Sequence, residues 1–257
     1  MRTIGVFDSG VGGISVLKEI LCEFPNDNII YFGDSLYAPY GDKNIDEIRE
    51  LCLKVSDFLV FNKKVDALVI ACNTATGAAI DIMQTRYTLP VVGVVNNGVK
   101  EALNITKNNS IGIIATPATV RMNIYNDTIL NAAPMSSVFQ VECPQLVKLI
   151  ENGWVDSIES NNLIKSYIDS FPENIDTLIL GCTHYPLISQ YISRHFLGNI
   201  VNPANETSKS LKKLIGEGEK NINVSKTFFV SGDLLKFKKV AEEFLEQPIK
   251  DIRKIIL

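Results

Sequence analysis

Cys72 and Cys182 each close a short apolar run and are followed at once by hydrogen-bonding side chains, Asn73-Thr74 and Thr183-His184. A packing cysteine behaves as a small hydrophobe and has no need of donors beside it. A reactive one does need them, because an ordinary thiol with a pKa near 8.5 is only about 3% thiolate at pH 7. His184, two residues past Cys182, is the candidate partner on that side, and Asp8, at the end of the first β-branched run, is the candidate near Cys72. Two thiols facing across one cleft suit proton transfer at a single carbon, one sulfur acting as base while the other acts as acid. The remaining cysteines, Cys22, Cys52 and Cys143, read as packing residues. Five widely spaced cysteines without a C-x-x-C pair fit neither a disulfide scaffold nor a zinc site, and point to free thiols in a reducing compartment. With only His184 and a helix-end His195 available, no metal site is expected.

The elements that must hold these residues alternate along the chain. Strands are predicted at Ile4–Phe7, Ile29–Phe32, Ala67–Ala71, Val91–Val95, Ile111–Ala115, Ser137–Val141, Thr177–Leu180, Asn199–Val201 and Lys226–Val230, with helical periods between them, as at Asn44–Phe61, Ala118–Leu130 and Leu234–Phe244. Several strands are apolar on both faces, as covered parallel strands are. The chain also repeats itself. Val65 to Thr74 lines up with Ile175 to His184, 110 residues later, and Ile4 to Ser9 lines up with Ile111 to Thr116 at an offset of 107. The expectation is an α/β protein of two pseudo-symmetric, doubly wound halves with mainly parallel sheets and the active site in the cleft between them. Ligands bind beyond the carboxyl ends of such strands, where both cysteines fall.

Composition narrows the function. The 257 residues carry 25 basic and 29 acidic side chains, a net charge of −4, with 46% hydrophobic residues and no basic block. That is ordinary globular composition, with no electrostatic footprint for nucleic acid. Asp8 interrupts the N-terminal run before a signal-peptide core can form, and no apolar run reaches membrane-spanning length, so a cytoplasmic location without membrane association is expected. The loop Asp8-Ser9-Gly10-Val11-Gly12-Gly13 resembles a phosphate cradle, and Asp34 stands about where a ribose-binding acid would. The dinucleotide fingerprint nevertheless fails at Ser15, and Asp8 would repel a pyrophosphate at the mouth. A tight strand-to-helix turn whose N–H groups hold a carboxylate or another anion fits better. Other strand ends carry Pro39-Tyr40-Gly41, Thr116-Pro117-Ala118-Thr119, with Pro117 suited to a first helical turn, and Asn96-Asn97-Gly98, which reads as a turn between halves.

Taken in order, Gly5 to Gly13, Pro39-Tyr40-Gly41, Ala71 to Ala75 and Leu180 to Pro186 resemble the signature set of bacterial glutamate racemases, and the resemblance runs nearly end to end through Ala115–Thr119 and Cys143–Glu151. It implies two α/β domains with the chain returning to the first, here residues 1–95 with 211–257, and 96–210. It also implies cofactor-independent interconversion of L- and D-glutamate for peptidoglycan, with Cys72 and Cys182 as the catalytic acid/base pair. Asp8 and His184 assist them, as does Glu151, although Lys148 stands where a proline is common. Substrate contacts carried over are Asp8, Ser9, Tyr40, Gly41, Asn73, Thr74, Thr116, Thr119, Thr183 and His184. The family's varied assembly leaves a homodimer open. Some members carry activator control in a segment before the first strand; with that strand at Ile4, such control is not expected. Two other readings stay open: a related racemase acting on aspartate or a hydantoin, and a non-enzymatic ligand-binding module in which the cysteines merely pack.

Overall fold

The computed structural model describes residues 1–220 and 223–257. Its strands are β1 (Thr3–Asp8), β2 (Asn28–Gly33), β3 (Ala67–Ile70), β4 (Val91–Gly93), β5 (Ser110–Ala115), β6 (Ser137–Glu142), β7 (Thr177–Gly181), β8 (Asn199–Val201), β9 (Lys226–Val230) and β10 (Asp251–Lys254). The helices are α1 (Ile14–Glu23), α2 (Ile45–Asp57), α3 (Asn73–Arg86), α4 (Val94–Ile105), α5 (Pro117–Arg121), α6 (Ile124–Ala132), α7 (Leu146–Glu151), α8 (Ile158–Ile168), α9 (Ser189–Ile192), α10 (Pro203–Ile215) and α11 (Leu234–Leu245). One sheet runs β10-β9-β2-β1-β3-β4 and the other β6-β5-β7-β8. The pairings are parallel throughout the described residues.

The internal repeat appears as topology. The order β2-β1-β3-β4 recurs as β6-β5-β7-β8, so β1 corresponds to β5 and β3 to β7. Alternate strand residues point to opposite faces, and both faces are covered. Ile4, Val6, Val69 and Tyr31 pack on one side of the first sheet, and Phe7, Leu68, Ile70 and Phe32 on the other. In the second sheet Ile114, Leu178 and Leu180 face one way, and Ile111, Ile113 and Ile179 the other. Burial on both faces explains why these strands read as unbroken apolar runs. The chain leaves the first sheet through α4 and returns through α10, and these two helices pack on each other. No helix among the described residues is long and apolar enough to cross a membrane.

Four expectations need correction. The fourth strand stops at Gly93, and Asn96-Asn97-Gly98 lies inside α4 rather than in a turn. Asn97 folds its side-chain amide back onto the Gly93 carbonyl at 2.9 Å, and Gly98 lets Pro203 approach, since a β-carbon there would lie 2.8 Å from the proline ring. The Ala118–Leu130 period is broken at Asn123, which adopts φ 55°, dividing α5 from α6. Cys22 is exposed instead of packed: α1 buries Ile14, Leu17 and Ile20, and position 22 falls on the opposite side. Finally, β10 extends the sheet beyond β9 at an edge where charged residues obscure a strand pattern.

Candidate active site

The first loop is built around one carboxylate. Asp8 ends β1, is fully buried, and accepts hydrogen bonds from the Gly10 N–H at 2.9 Å and the Thr183 hydroxyl at 3.1 Å. The expected turn thus cradles its own aspartate. Burial raises the Asp8 pKa above the ordinary carboxylate value, opposed by the nearby His184 charge and by the N–H groups of Gly10 and Gly13. The loop has no room for larger residues. A β-carbon on Gly13 would lie 2.4 Å from that of Asp8, and one on Gly12 would lie 2.4 Å from His184 Nδ1. Ser15 donates to the Thr183 carbonyl at 3.0 Å, a second tie between the first loop and the second sheet.

Cys72 follows β3 and is the N-cap of α3, its sulfur accepting the Ala75 N–H at 3.4 Å. Its thiol points to the Ser9 hydroxyl at 3.8 Å. Burial, and then the negative Asp8, push this thiol up to about 12, so it holds its proton at neutral pH. Asp8 thus acts on Cys72 through its charge and disfavours the thiolate, while Cys72 makes its hydrogen bond to Ser9.

On the opposite side Cys182 follows β7, only 6% exposed, with its sulfur 3.6 Å from His184 Nδ1. His184 Nε2 meets Glu151 Oε1 at 3.0 Å. Glu151 comes from the end of α7, so Cys182, His184 and Glu151 form a line in which each group orients the next. Burial disfavours the imidazolium, yet the bonds to Cys182 and Glu151 outweigh it and raise His184 to about 10. Burial likewise opposes the Glu151 charge, but its bond to His184 holds the carboxyl below the usual glutamate range. The two thiols thus sit in different settings, one beside a carboxylate and the other beside a cation.

The expected substrate contacts gather around these groups. Thr74, in the first turn of α3, meets Thr116 at 3.0 Å and Thr119 at 2.9 Å, and the last two meet each other at 3.0 Å. Thr116 caps α5, with Pro117 at its first position as the sequence suggested. Gly41 lies against Thr116, where a β-carbon would come within 2.6 Å. Tyr40 is fully buried and donates to Asp34 at 2.5 Å, and Ser231 donates to the other Asp34 oxygen at 2.7 Å. Asn73 accepts from the buried Tyr125 hydroxyl at 2.6 Å. His195 lies just beyond α9, away from the thiols, 3.4 Å from Asn161.

Sequence reasoning passed over three residues. It weighed Asp34 only as a ribose-binding acid, whereas the carboxylate anchors the Tyr40 loop to β2. Its place at the carboxyl end of a central strand was the available signal. Tyr125 carried no local signal, because its partner is 52 residues away. Gly12 was read as a turn former, when the tighter demand on it comes from His184 in the other half. Among the described residues no cluster of three or more His, Cys, Asp or Glu side chains could hold a metal ion.

The chain as a whole has known relatives. The chain matches the Asp/Glu/Hydantoin racemase family over residues 13–207. It is 37% identical to a glutamate racemase of Fusobacterium nucleatum, over 98% of this chain and 97% of that one. A glutamate racemase of Geobacter metallireducens is 35% identical over 100% of this chain and 97% of its own. Among solved structures, a Bacillus anthracis glutamate racemase isoform superposes with a TM-score of 0.94 at 34% identity, covering 100% of this chain and 98% of its own. A Francisella tularensis glutamate racemase in complex with D-glutamate gives 0.93 at 36% identity, covering 99% and 97%. With sequence and fold alike over nearly the whole chain length, the chain belongs to the glutamate racemases, isomerases of the Asp/Glu/Hydantoin racemase family.

Proposed function

We propose that this protein interconverts L- and D-glutamate without a cofactor, by a two-base mechanism in which Cys72 and Cys182 serve opposite faces of the α-carbon, and that it supplies D-glutamate for peptidoglycan in the cytoplasm. The observation that carries the mechanism is the placement of the two thiols at the ends of corresponding strands, β3 and β7, with the Asp8–Thr183 hydrogen bond tying the loop after β1, which Cys72 meets at Ser9, to the loop after β7. The D-glutamate complex of the Francisella relative supports the substrate.

Running from L-glutamate, a Cys182 thiolate removes the α-proton. The S–H bond forms, the Cα–H bond breaks, and the electron pair spreads from the α-carbon into the neighbouring carboxylate. Cys72 then delivers its proton to the opposite face and is left as the thiolate, and the reverse direction exchanges these roles. The electrostatics suit the first half: His184, raised to about 10, is an imidazolium attracting negative sulfur, while Cys72, pushed up to about 12, holds a proton to give. The α-hydrogen is a poor acid beside a carboxylate, so donors must stabilise the added charge. Ser9, Asn73 and Thr74 would do so together with loop N–H groups, that of Thr183 among them because its hydroxyl proton goes to Asp8, and one such donor is worth about 3 kcal/mol. Thr116, Thr119, Tyr40 and Gly41 complete the proposed contacts to the bound amino acid.

The test is incubation of the purified protein with L-glutamate in deuterated water, without added cofactor, following optical rotation and the α-proton signal together. Decay of both supports racemisation by proton exchange. A folded sample silent with glutamate but active with aspartate would overturn the substrate assignment, and silence with both would overturn the enzymatic reading.

A further inference from the structure

Tyr125 is fully buried on α6 of the second half, and its hydroxyl reaches Asn73 Oδ1 at 2.6 Å, in the first turn of α3 of the first half. We infer that Tyr125 is a positioning residue: by occupying Oδ1 it locks the Asn73 amide with its N–H2 free to donate to the substrate carboxylate, an inference that rests on the glutamate racemase reading above. A phenol is one good donor and a weaker acceptor. Were the amide turned round, the amide N–H2 would donate to the phenol, whose own proton would have no acceptor, and an unpaired buried donor is strongly disfavoured. The turned amide would also present its carbonyl oxygen to an anionic substrate. Asn73 follows Cys72 directly in the chain, so a rotated amide would remove a donor adjoining the cysteine. Among the described residues the N–H2 has no protein partner, while Oδ1 is taken by the phenol. Tyr125 thereby links Asn73 of the Cys72 side to the half that carries Cys182.

The experiment compares wild type, Tyr125→Phe, Asn73→Ala and the double variant, measuring kcat and KM for each enantiomer together with thermal melting. Phenylalanine preserves the packed ring and removes only the hydroxyl. The expected result is a loss of about tenfold in kcat/KM for Tyr125→Phe, with a raised KM for both enantiomers. The double variant should be no worse than Asn73→Ala alone, because the hydroxyl acts through that amide. A Tyr125→Phe enzyme within twofold of wild type, losses that multiply in the double variant, or a lowered melting temperature with KM unchanged would each overturn the inference. A wild-type protein that neither racemises nor binds glutamate would instead overturn the functional reading and take the inference with it.

Discussion

Asp8 of the first half accepts a hydrogen bond from Thr183 of the second at 3.1 Å, and Asp8 is fully buried. This contact sets the loops after β1 and β7 against each other and places one negative charge near both Cys72 and His184. Burying that charge is unfavourable, although the Thr183 bond itself favours it. The folded-state pKa of Asp8 is raised, mainly by burial, so between the ordinary value of 3.8 and the raised one the folded protein binds more protons than the unfolded chain. Stability therefore falls as pH rises through that window and stays reduced above it. Asp8→Asn is expected to melt at a higher temperature than wild type at neutral pH, the difference closing below about pH 4, while activity falls by about 10²-fold or more. Melting curves across pH check this, and an Asn variant less stable than wild type at neutral pH would refute it.

The two cysteines make asymmetric predictions of a restricted kind. Glutamate enantiomers are equal in free energy, so kcat/KM must be the same in both directions for any variant, and differences between the sulfurs appear only in kcat and KM taken separately. Replacing either cysteine by Ala should abolish racemisation. In deuterated water Cys182→Ala should still exchange the α-proton of D-glutamate slowly, with retention, through Cys72, and Cys72→Ala should do so only for L-glutamate. Exchange of the same enantiomer by both variants would contradict the assignment of faces.

How much of this was legible beforehand follows from where each signal lies. Cys72 and Cys182 could be read because a strand end, a thiol and adjacent polar groups are all local, and the repeat aligned them. The Asp8 turn was legible for the same reason. Tyr125, Asp34 and the steric demand on Gly12 were not, because each is defined by a partner brought near only by folding: Asn73, Tyr40 with Ser231, and His184. Asn96-Asn97-Gly98 misled for a related reason. Its local preference is a turn, and the packing of α10 against α4 overrides it.

In the His184–Glu151 pair the raised His184 pKa makes stability fall with rising pH, as that of Asp8 does, whereas the lowered Glu151 pKa makes it rise. The His184 pKa rises from 6.5 to about 10 in the fold. Its contribution is fully present below 6.5 and is lost as pH climbs through about 10. Glu151, held below its usual 4.5, contributes above that value and loses its contribution as pH falls through its lowered folded-state pKa. Glu151→Gln removes the carboxylate that helps to hold the imidazolium. It should flatten the decline in stability between pH 6.5 and 10 and move the alkaline limit of kcat from L-glutamate to lower pH. An unchanged alkaline limit would mean that Glu151 does not act through His184.

Gly12 offers the most direct test of the Cys182–His184 contact. A β-carbon there would lie 2.4 Å from His184 Nδ1 and 2.6 Å from Thr183 Oγ1, nearer than real β-carbons come to other atoms. The neighbours at risk are an imidazole held by Cys182 and Glu151 and a hydroxyl held by Asp8, so neither can move without breaking a bond of the site. Gly12→Ala should cost about 1–3 kcal/mol of stability through overpacking, which the core on both faces of the first sheet can absorb. The larger effect should be on turnover: kcat from L-glutamate falls by about 10²-fold, because displaced His184 no longer faces the sulfur that takes the proton. kcat from D-glutamate should fall less, with KM moving to keep kcat/KM equal in the two directions. Equal losses of kcat in the two directions would show that the displaced imidazole serves both thiols alike.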